Sequence, residues 1–393
     1  MRFSTFIFGL FVIVSLKCLQ TDAHFDQCPV RKVITYNAAL LDHPLSSGLP
    51  NNRLLRREAI INELRRLDAD VVCLQEVWIG QDVERIVTEL SDQYTFSHSK
   101  LHVPGKLSGN LPCQDGPSMP PCNYHAINQF TNCVRKNKCL RRRLSQAQTY
   151  TCINFNCYHL YETLSQDCVG CMTASWQDIS TVFQKCVGTG LPAINMRTVN
   201  APGLLLLSKR PLHNAKYTDF HPFTKEFIER GYIEADTQDL GKVVCTHTTH
   251  SFPFYSEMEL SRKGHFSSYL EQGRSERNEL IKQFGNSYPM VLAGDFNIGD
   301  TFGPLINQDL PQEFCHLAKY FDVTPVKQCT ICWPHENIYT KSSQGVLHTV
   351  VDHIFHRGHQ VVKSLRVVTP DDATLDNLPL SNHNGVMTVL SLC

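Results

Sequence analysis

The sequence predicts a layered α/β or α+β domain carrying a disulfide-rich insertion, on three observations. Short apolar, β-branched runs recur from residue 33 to residue 390, helical and loop segments separate them, and nine of the 17 cysteines fall between positions 113 and 186. Strands that alternate with helices call for a sheet with helices layered against it.

Taken in order, Val33-Ile34-Thr35-Tyr36 is the first expected strand, and residues 53–67 follow as a helix. There Leu54, Ile60, Ile61, Leu64 and Leu67 stand at helix-compatible spacings, with five arginines expected on the other faces. Val71–Leu74 is the next strand. Later strands are expected at Leu204–Leu207, Val243–Thr246, Met290–Ala293, Val350–Phe355 and Val386–Leu390. No repeat or low-complexity tract interrupts them.

The N-terminus reads as a processing segment. Arg2 supplies the positive charge, Phe6–Leu16 an apolar stretch, and Thr21-Asp22-Ala23 small residues for cleavage, so residues 1–23 are expected to be a signal peptide. The apolar stretch is shorter than the roughly 20 residues a bilayer-spanning helix needs. Removing Cys18 with the signal leaves an even number of thiols, as an exported, disulfide-bonded chain would have. Two CxxC pairs, Cys168-Cys171 and Cys329-Cys332, are read as disulfides in preference to half-sites for zinc; the connectivity is open. The mature domain is expected over 24–393 with the insertion at 113–186 inside it.

A hydrophobic share of 42% and a charged share of 19% exclude a disordered chain. Lys plus Arg equals Asp plus Glu at 37 each, so the global charge offers no basis for a stable nucleic-acid complex. A local basic run, Arg135-Lys136, Lys138 and Arg141-Arg142-Arg143, is either a solvated surface or a contact for an anion such as a lipid headgroup. Oligomeric state is not readable.

Four strand ends carry chemistry. Val291–Ala293 runs into Gly294-Asp295-Phe296-Asn297, where an extended backbone would project the Asp295 carboxylate and Asn297 amide to one face. Oxygen donors of this kind suit Mg²⁺ or Ca²⁺. Asp70–Leu74 ends in Gln75-Glu76 before Val77-Trp78, and a carboxylate between apolar residues needs a partner or a metal. Asn37 ends the first strand. His247 follows Val243–Thr246, Asp352 sits within an apolar strand, and His383 lies in the polar loop before the last strand. A catalytic histidine needs a carboxylate to fix its tautomer, which Asp352 would supply to His383.

The ordered set Asn37, Glu76, His247, Asp295-x-Asn297, Asp352 and His383, with Leu74-Gln75-Glu76, Gly294–Asn297 and Ser381-x-His383 as its specific pieces, resembles the endonuclease/exonuclease/phosphatase superfamily. The resemblance covers the mature chain outside the insertion. It implies a four-layer α/β sandwich, two sheets face to face with helices outside. It further implies a phosphoric diester hydrolase whose metal is Mg²⁺, with Mn²⁺ or Ca²⁺ as alternatives. Asn37, Glu76, Asp295, Asn297 and His383 are the implied metal residues. His247, Asp295, Asn297, Asp352 and His383 are the implied catalytic ones, with Asp295 orienting or deprotonating water.

The family's usual Ser-Asp-His reads Ser381-Asn382-His383 here, which puts a second metal in doubt and would lower the pKa of His383 relative to its relatives. Within the superfamily the chain looks like neutral sphingomyelinases. It shares with them the run Val72–Trp78, the Thr246-His247 segment, and Arg274–Asn278 before an expected apolar helix, while Thr249 stands where that group usually has glutamine. The implied substrate is sphingomyelin or another phospholipid phosphodiester, cleaved outside the cell with peripheral contact to the membrane surface. A secreted deoxyribonuclease, an inositol phosphatase and a catalytically silent binding module on the same fold are the alternatives.

Overall fold

The computed structural model describes residues 28–41, 53–101, 120–141, 146–175, 179–188, 199–220, 229–250, 266–300, 309–333, 347–369, 374–375 and 378–392. The expected signal peptide, Cys113, Arg142 and Arg143 lie outside them.

Alternating residues of the first strand, β1 (Val30–Leu40), separate into two cores: Val33 faces one and Ile34 the other. After helix α1 (Arg53–Leu67) comes β2 (Val71–Val77), parallel to β1, with Val71 and Val72 divided the same way. Helix α2 (Gly80–Glu89) and β3 (Phe96–Ser99) precede the insertion, which supplies α3 (Tyr124–Lys136), α4 (Gln146–Tyr161), α5 (Gln166–Ser175) and α6 (Ile179–Cys186). The chain continues through β4 (Leu205–Ser208), β5 (His213–Asp219), β6 (Gly231–Thr237), β7 (Gly241–His247), α7 (Tyr269–Phe284), β8 (Met290–Asp295) and α8 (Pro311–Leu317). It ends with β9 (Asp322–Val323), β10 (Ile331–Trp333), β11 (Leu347–Thr349), β12 (Asp352–Arg357), β13 (Gln360–Val367), the short β14 (Thr374–Leu375) and β15 (Leu378–Pro379), and β16 (Gly385–Ser391).

Two six-stranded sheets result, ordered β13-β16-β1-β2-β4-β3 and β5-β6-β7-β8-β12-β9. In the first, β1 and β2 are parallel; in the second, β7 and β8 are. Between the sheets Val33, Val71 and Leu206 meet Ile233, Val243, Val291 and Ile354. On the outside, α1 and α2 cover one sheet through Ile60, Leu64 and Ile86, and α7 and α8 cover the other through Leu280, Phe284, Phe314 and Leu317. The four layers are helix, sheet, sheet, helix, as the sequence predicts. No described helix is long and apolar enough to cross a membrane.

A disulfide between Cys73 of β2 and Cys245 of β7 joins the sheets through their shared core. Four more lace the insertion: Cys122–Cys168, Cys133–Cys157, Cys139–Cys152 and Cys171–Cys186. Cys329–Cys332 is a disulfide, as expected, but Cys168 and Cys171 bond to different partners. They sit one turn apart on α5; Cys168 reaches Cys122, just ahead of α3, and Cys171 reaches Cys186 at the end of α6. Two details of α1 also differ. Leu54 is half exposed, and Arg56 is buried, donating to the carbonyls of Ala39 (2.9 Å) and Leu380 (3.0 Å). Strand-end carbonyls that take both Nη atoms let a guanidinium be buried, so hydrophobic spacing alone misplaces this face.

Candidate active site

Because β1 and β2 run parallel, as do β7 and β8, the carboxyl ends of all four strands meet at one edge of the sandwich. Asn37, Glu76, His247 and Asp295 stand at those ends. Asn37 precedes a register shift in β1, and its Oδ1 accepts the Ala39 N–H at 3.1 Å, which turns the amide nitrogen inward. That nitrogen donates to Glu76 Oε1 at 3.2 Å and to Asp295 Oδ2 at 3.0 Å. The Asp295 oxygen also lies 3.3 Å from His247 Nε2 and 3.8 Å from His383 Nε2. His383 Nδ1 is 2.8 Å from Asp352 Oδ2, and Ser381 Oγ anchors the same loop to the Asn37 carbonyl at 2.6 Å. All the residues that the sequence nominates therefore converge on this edge.

Asn297 arrives by another route than expected. β8 stops at Asp295, and Asn297 has φ +52°, so the two do not project from one extended face. The Asn297 N–H donates to Asp295 Oδ1 at 3.0 Å, and its side-chain nitrogen donates to the Thr248 carbonyl at 2.8 Å. A polar turn, not strand alternation, brings them together. Glu76 is likewise left-handed at φ +58°, a strained state for a side-chain-bearing residue and typical of sites that need one fixed geometry. Gly294 serves the β7–β8 pairing: a Cβ there would lie 2.3 Å from the Thr246 carbonyl oxygen.

Burial alone would raise the Asp295 carboxyl, but the His247 and His383 charges and the hydrogen bonds of His247 and Asn37 hold it well below the usual carboxylate range. His383 loses to burial and gains more from Asp352 and Asp295, which raise it to about 9. His247 is pushed down by burial and by the Arg230 charge, against Asp295. Both imidazoles thus favour the ionised carboxylate, while burial shifts His247 away from its charged form and the carboxylates shift His383 toward it. Without metal, the raised His383 stabilises the fold fully below its unfolded value near 6.5, and this contribution is lost as pH rises through about 9. In EDTA, the urea-midpoint gap between the wild type and His383→Gln should be wide at pH 6 and narrow at pH 10; a constant gap would refute the assignment.

Several site residues carried no signal in the sequence. His250 Nε2 faces Asp309 Oδ2 at 3.7 Å; burial takes His250 down to about 3, and burial plus the Asp295 charge takes Asp309 up to about 7. Arg230 is buried next to Gly231, whose register partner is His247, and its Nη1 has no hydrogen-bond partner. Asn200 donates to the carbonyls of Val77 (2.8 Å) and Leu204 (3.1 Å), and Gly203, at φ +83°, passes so close that a Cβ would lie 3.1 Å from Glu76 Cα. Thr249 is buried, and its N–H and hydroxyl donate to Glu276 at 2.6 and 2.7 Å. The Arg274–Asn278 segment lies inside α7, not ahead of a helix, because the helix begins at Tyr269 with Ser268 capping the Glu271 N–H.

The insertion reaches this edge. Trp78, Ile79, Val199 and Ala201 share its core, and a Cβ on Gly170 of α5 would lie 2.9 Å from the Ala201 side chain. Gly170→Leu should therefore push the 199–203 turn against Glu76 and raise the metal concentration for half-maximal activity about tenfold. An unchanged metal titration in a folded variant would uncouple the two.

The donor set fits a hard divalent cation. The Glu76 and Asp295 carboxylates converge on one amide nitrogen, and ligand atoms of Asp295, Asp352 and His383 lie within 4.8 Å of one another. Two converging carboxylates in a largely buried pocket call for positive charge. The second cluster, Cys329, Cys332 and His348, does not fit, because its sulfurs are joined in a disulfide.

The sequence pattern of the Endonuclease/Exonuclease/phosphatase family matches residues 34–383, and the chain belongs to this family. Its members are hydrolases of phosphate esters, typically dependent on a divalent metal. Comparison with curated proteins gave no match. Among solved structures, the chain is similar to sphingomyelinase C from Streptomyces griseocarneus, with 14% identity, 92% of this chain and 99% of that chain covered, and a TM-score of 0.49. It is also similar to D. rerio TDP2 complexed with single strand DNA product, at 11% identity, 92% and 99% coverage and a TM-score of 0.48. An endonuclease/exonuclease/phosphatase from Beutenbergia cavernae gives 16% identity, 92% and 72% coverage and a TM-score of 0.45.

Proposed function

We propose that this chain is a secreted, Mg²⁺-dependent phosphodiesterase that hydrolyses sphingomyelin or a related phospholipid headgroup ester. The observation that carries the reading is the buried Asp295 carboxylate, reached at once by Asn37, His247 and His383. Export is supported by the signal-like segment at 1–23 and by six disulfides among the described residues. The lipid substrate is supported by the Val72–Trp78 and Thr246-His247 resemblance; Thr249 departs from it.

Glu76, Asn37 and Asp295 would hold the metal, which when bound neutralises charge on the non-bridging phosphoryl oxygens. Asp295, kept ionised by its two imidazoles, accepts a hydrogen bond from the attacking water and aims it; its low basicity makes it an orienting acceptor. Protonated His383, fixed through Nδ1 by Asp352, presents Nε2–H to the phosphoryl or leaving oxygen. His247 and Asn297 bound the pocket and position the same group. Ser381-Asn382-His383 provides no second carboxylate beside His383, which favours one metal over two.

Purified protein assayed on sphingomyelin, plasmid DNA and an inositol phosphate, with and without EDTA, tests this reading. Headgroup release from sphingomyelin that EDTA abolishes is expected. DNA nicking alone would transfer the reading to a deoxyribonuclease, inositol phosphate turnover alone to a phosphatase, and silence on all three to a binding module. Activity that survives EDTA would remove the metal from the mechanism.

A further inference from the structure

Charge is distributed unevenly in a chain that balances overall. Between Gly116 and Tyr161 the sequence has six Lys and Arg residues and no Asp or Glu. Four of these cations, Arg135, Lys136, Lys138 and Arg141, are exposed, and none makes an ion pair with another described residue. They gather where α3 ends and turns toward α4. At the same end Leu140 is 38% exposed and Phe155 is 78% exposed, the highest value among the exposed large apolar residues of the described chain.

Disulfides fix this arrangement. Cys139–Cys152 ties the turn carrying Leu140 and Arg141 to α4, and Cys133–Cys157 closes the hairpin just beyond Phe155. Phe155 therefore sits in a helix bracketed by two cross-links, and is exposed on the same hairpin as four cations that pair with no described acid. Arginine and lysine on a surface need no explanation, but a large aromatic held out among them does.

We propose that this end of the insertion docks the protein on an anionic bilayer, with the four cations on lipid headgroups and Phe155 and Leu140 entering the interfacial layer. A bilayer supplies both halves of the complement: negative surface charge and, within a few ångströms of it, an apolar layer. A nucleic acid offers the charge without that layer. Through Trp78, Ile79 and the Val199–Ala201 turn, the insertion is packed beside the strand that bears Glu76, so docking would fix the catalytic edge near the lipid surface. This deepens the lipid-directed reading above and rests on it for its purpose. The binding itself needs no turnover and is measured in EDTA, so the two fail separately.

The test is co-sedimentation of the full chain with sucrose-loaded vesicles of phosphatidylcholine alone or with about 30% phosphatidylserine, in low salt. Binding to the anionic vesicles should be stronger by roughly 100-fold and should collapse in high salt. Arg135→Glu/Lys138→Glu/Arg141→Glu should abolish that preference. Phe155→Ser should weaken binding about tenfold while its salt dependence persists. Lys319→Glu, an exposed cation on the main domain, should change nothing. Turnover of a soluble diester and an unchanged thermal transition establish that the variants are folded. Equal binding to both vesicles, full binding by the triple variant, or tighter binding to duplex DNA that ignores Phe155→Ser would each overturn the proposal.

Discussion

Replacing Asp295 with asparagine is expected to lower kcat by about 10³-fold with the fold intact. The substitution keeps the shape at the end of β8, where the side chain receives the Asn297 N–H and the Asn37 amide. It removes the negative charge that His247 and His383 both face. Under the proposed function three losses coincide: an acceptor for the attacking water, a metal ligand, and one of the three carboxylates that raise His383. KM should change much less than kcat, because the charge matters most as the phosphoryl group becomes more negative. Initial rates on a soluble diester, with metal affinity measured separately by calorimetry, check this. A variant within tenfold of the wild type would show that the water is oriented elsewhere.

Removing the inter-sheet disulfide is expected to have the largest effect on stability. Cys73 and Cys245 close a loop of 172 residues in sequence and are both buried between the sheets. A cross-link over so long a loop restricts the unfolded chain strongly, by about 3–5 kcal/mol in stability. Cys73→Ala/Cys245→Ala should accordingly lower the melting temperature by roughly 4–6 °C. The bridge also lies three residues before Glu76 and two before His247, so metal affinity should fall with stability. Urea unfolding at constant metal concentration measures the first effect; a loss below about 1 kcal/mol would rule out the staple.

Much of this architecture was legible because buried strands advertise themselves. Val71–Leu74 and Met290–Ala293 are continuous apolar runs, and the polar residue that ends each is conspicuous. β5 and β13 were not legible: His213–Asp219 and Gln360–Val367 are outer strands with mostly exposed or half-exposed side chains, so no alternation marks them. The insertion helices were hidden by their cysteines, although Ile127, Phe130 and Val134 line one buried face of α3. At the site, strand ends named the central residues, but Asn297 reached it through a left-handed turn. Arg230, His250 and Asp309 depend on loops whose convergence no local pattern encodes. The cysteine pairing depends on tertiary distance in the same way.

The first strand has a consequence for how the site is assembled. β1 takes β2 on one side and β16 on the other, with Val30 to Thr35 aligned against Ser391 to Val386. His383 sits immediately before β16. The edge that gathers Asn37 and Glu76 is therefore completed by a loop 344 residues away in sequence, brought in when β16 pairs with β1. Pairing of β1 with β16 is thus a condition of the site as well as of the sheet: what disturbs that register would displace His383 from Asp295.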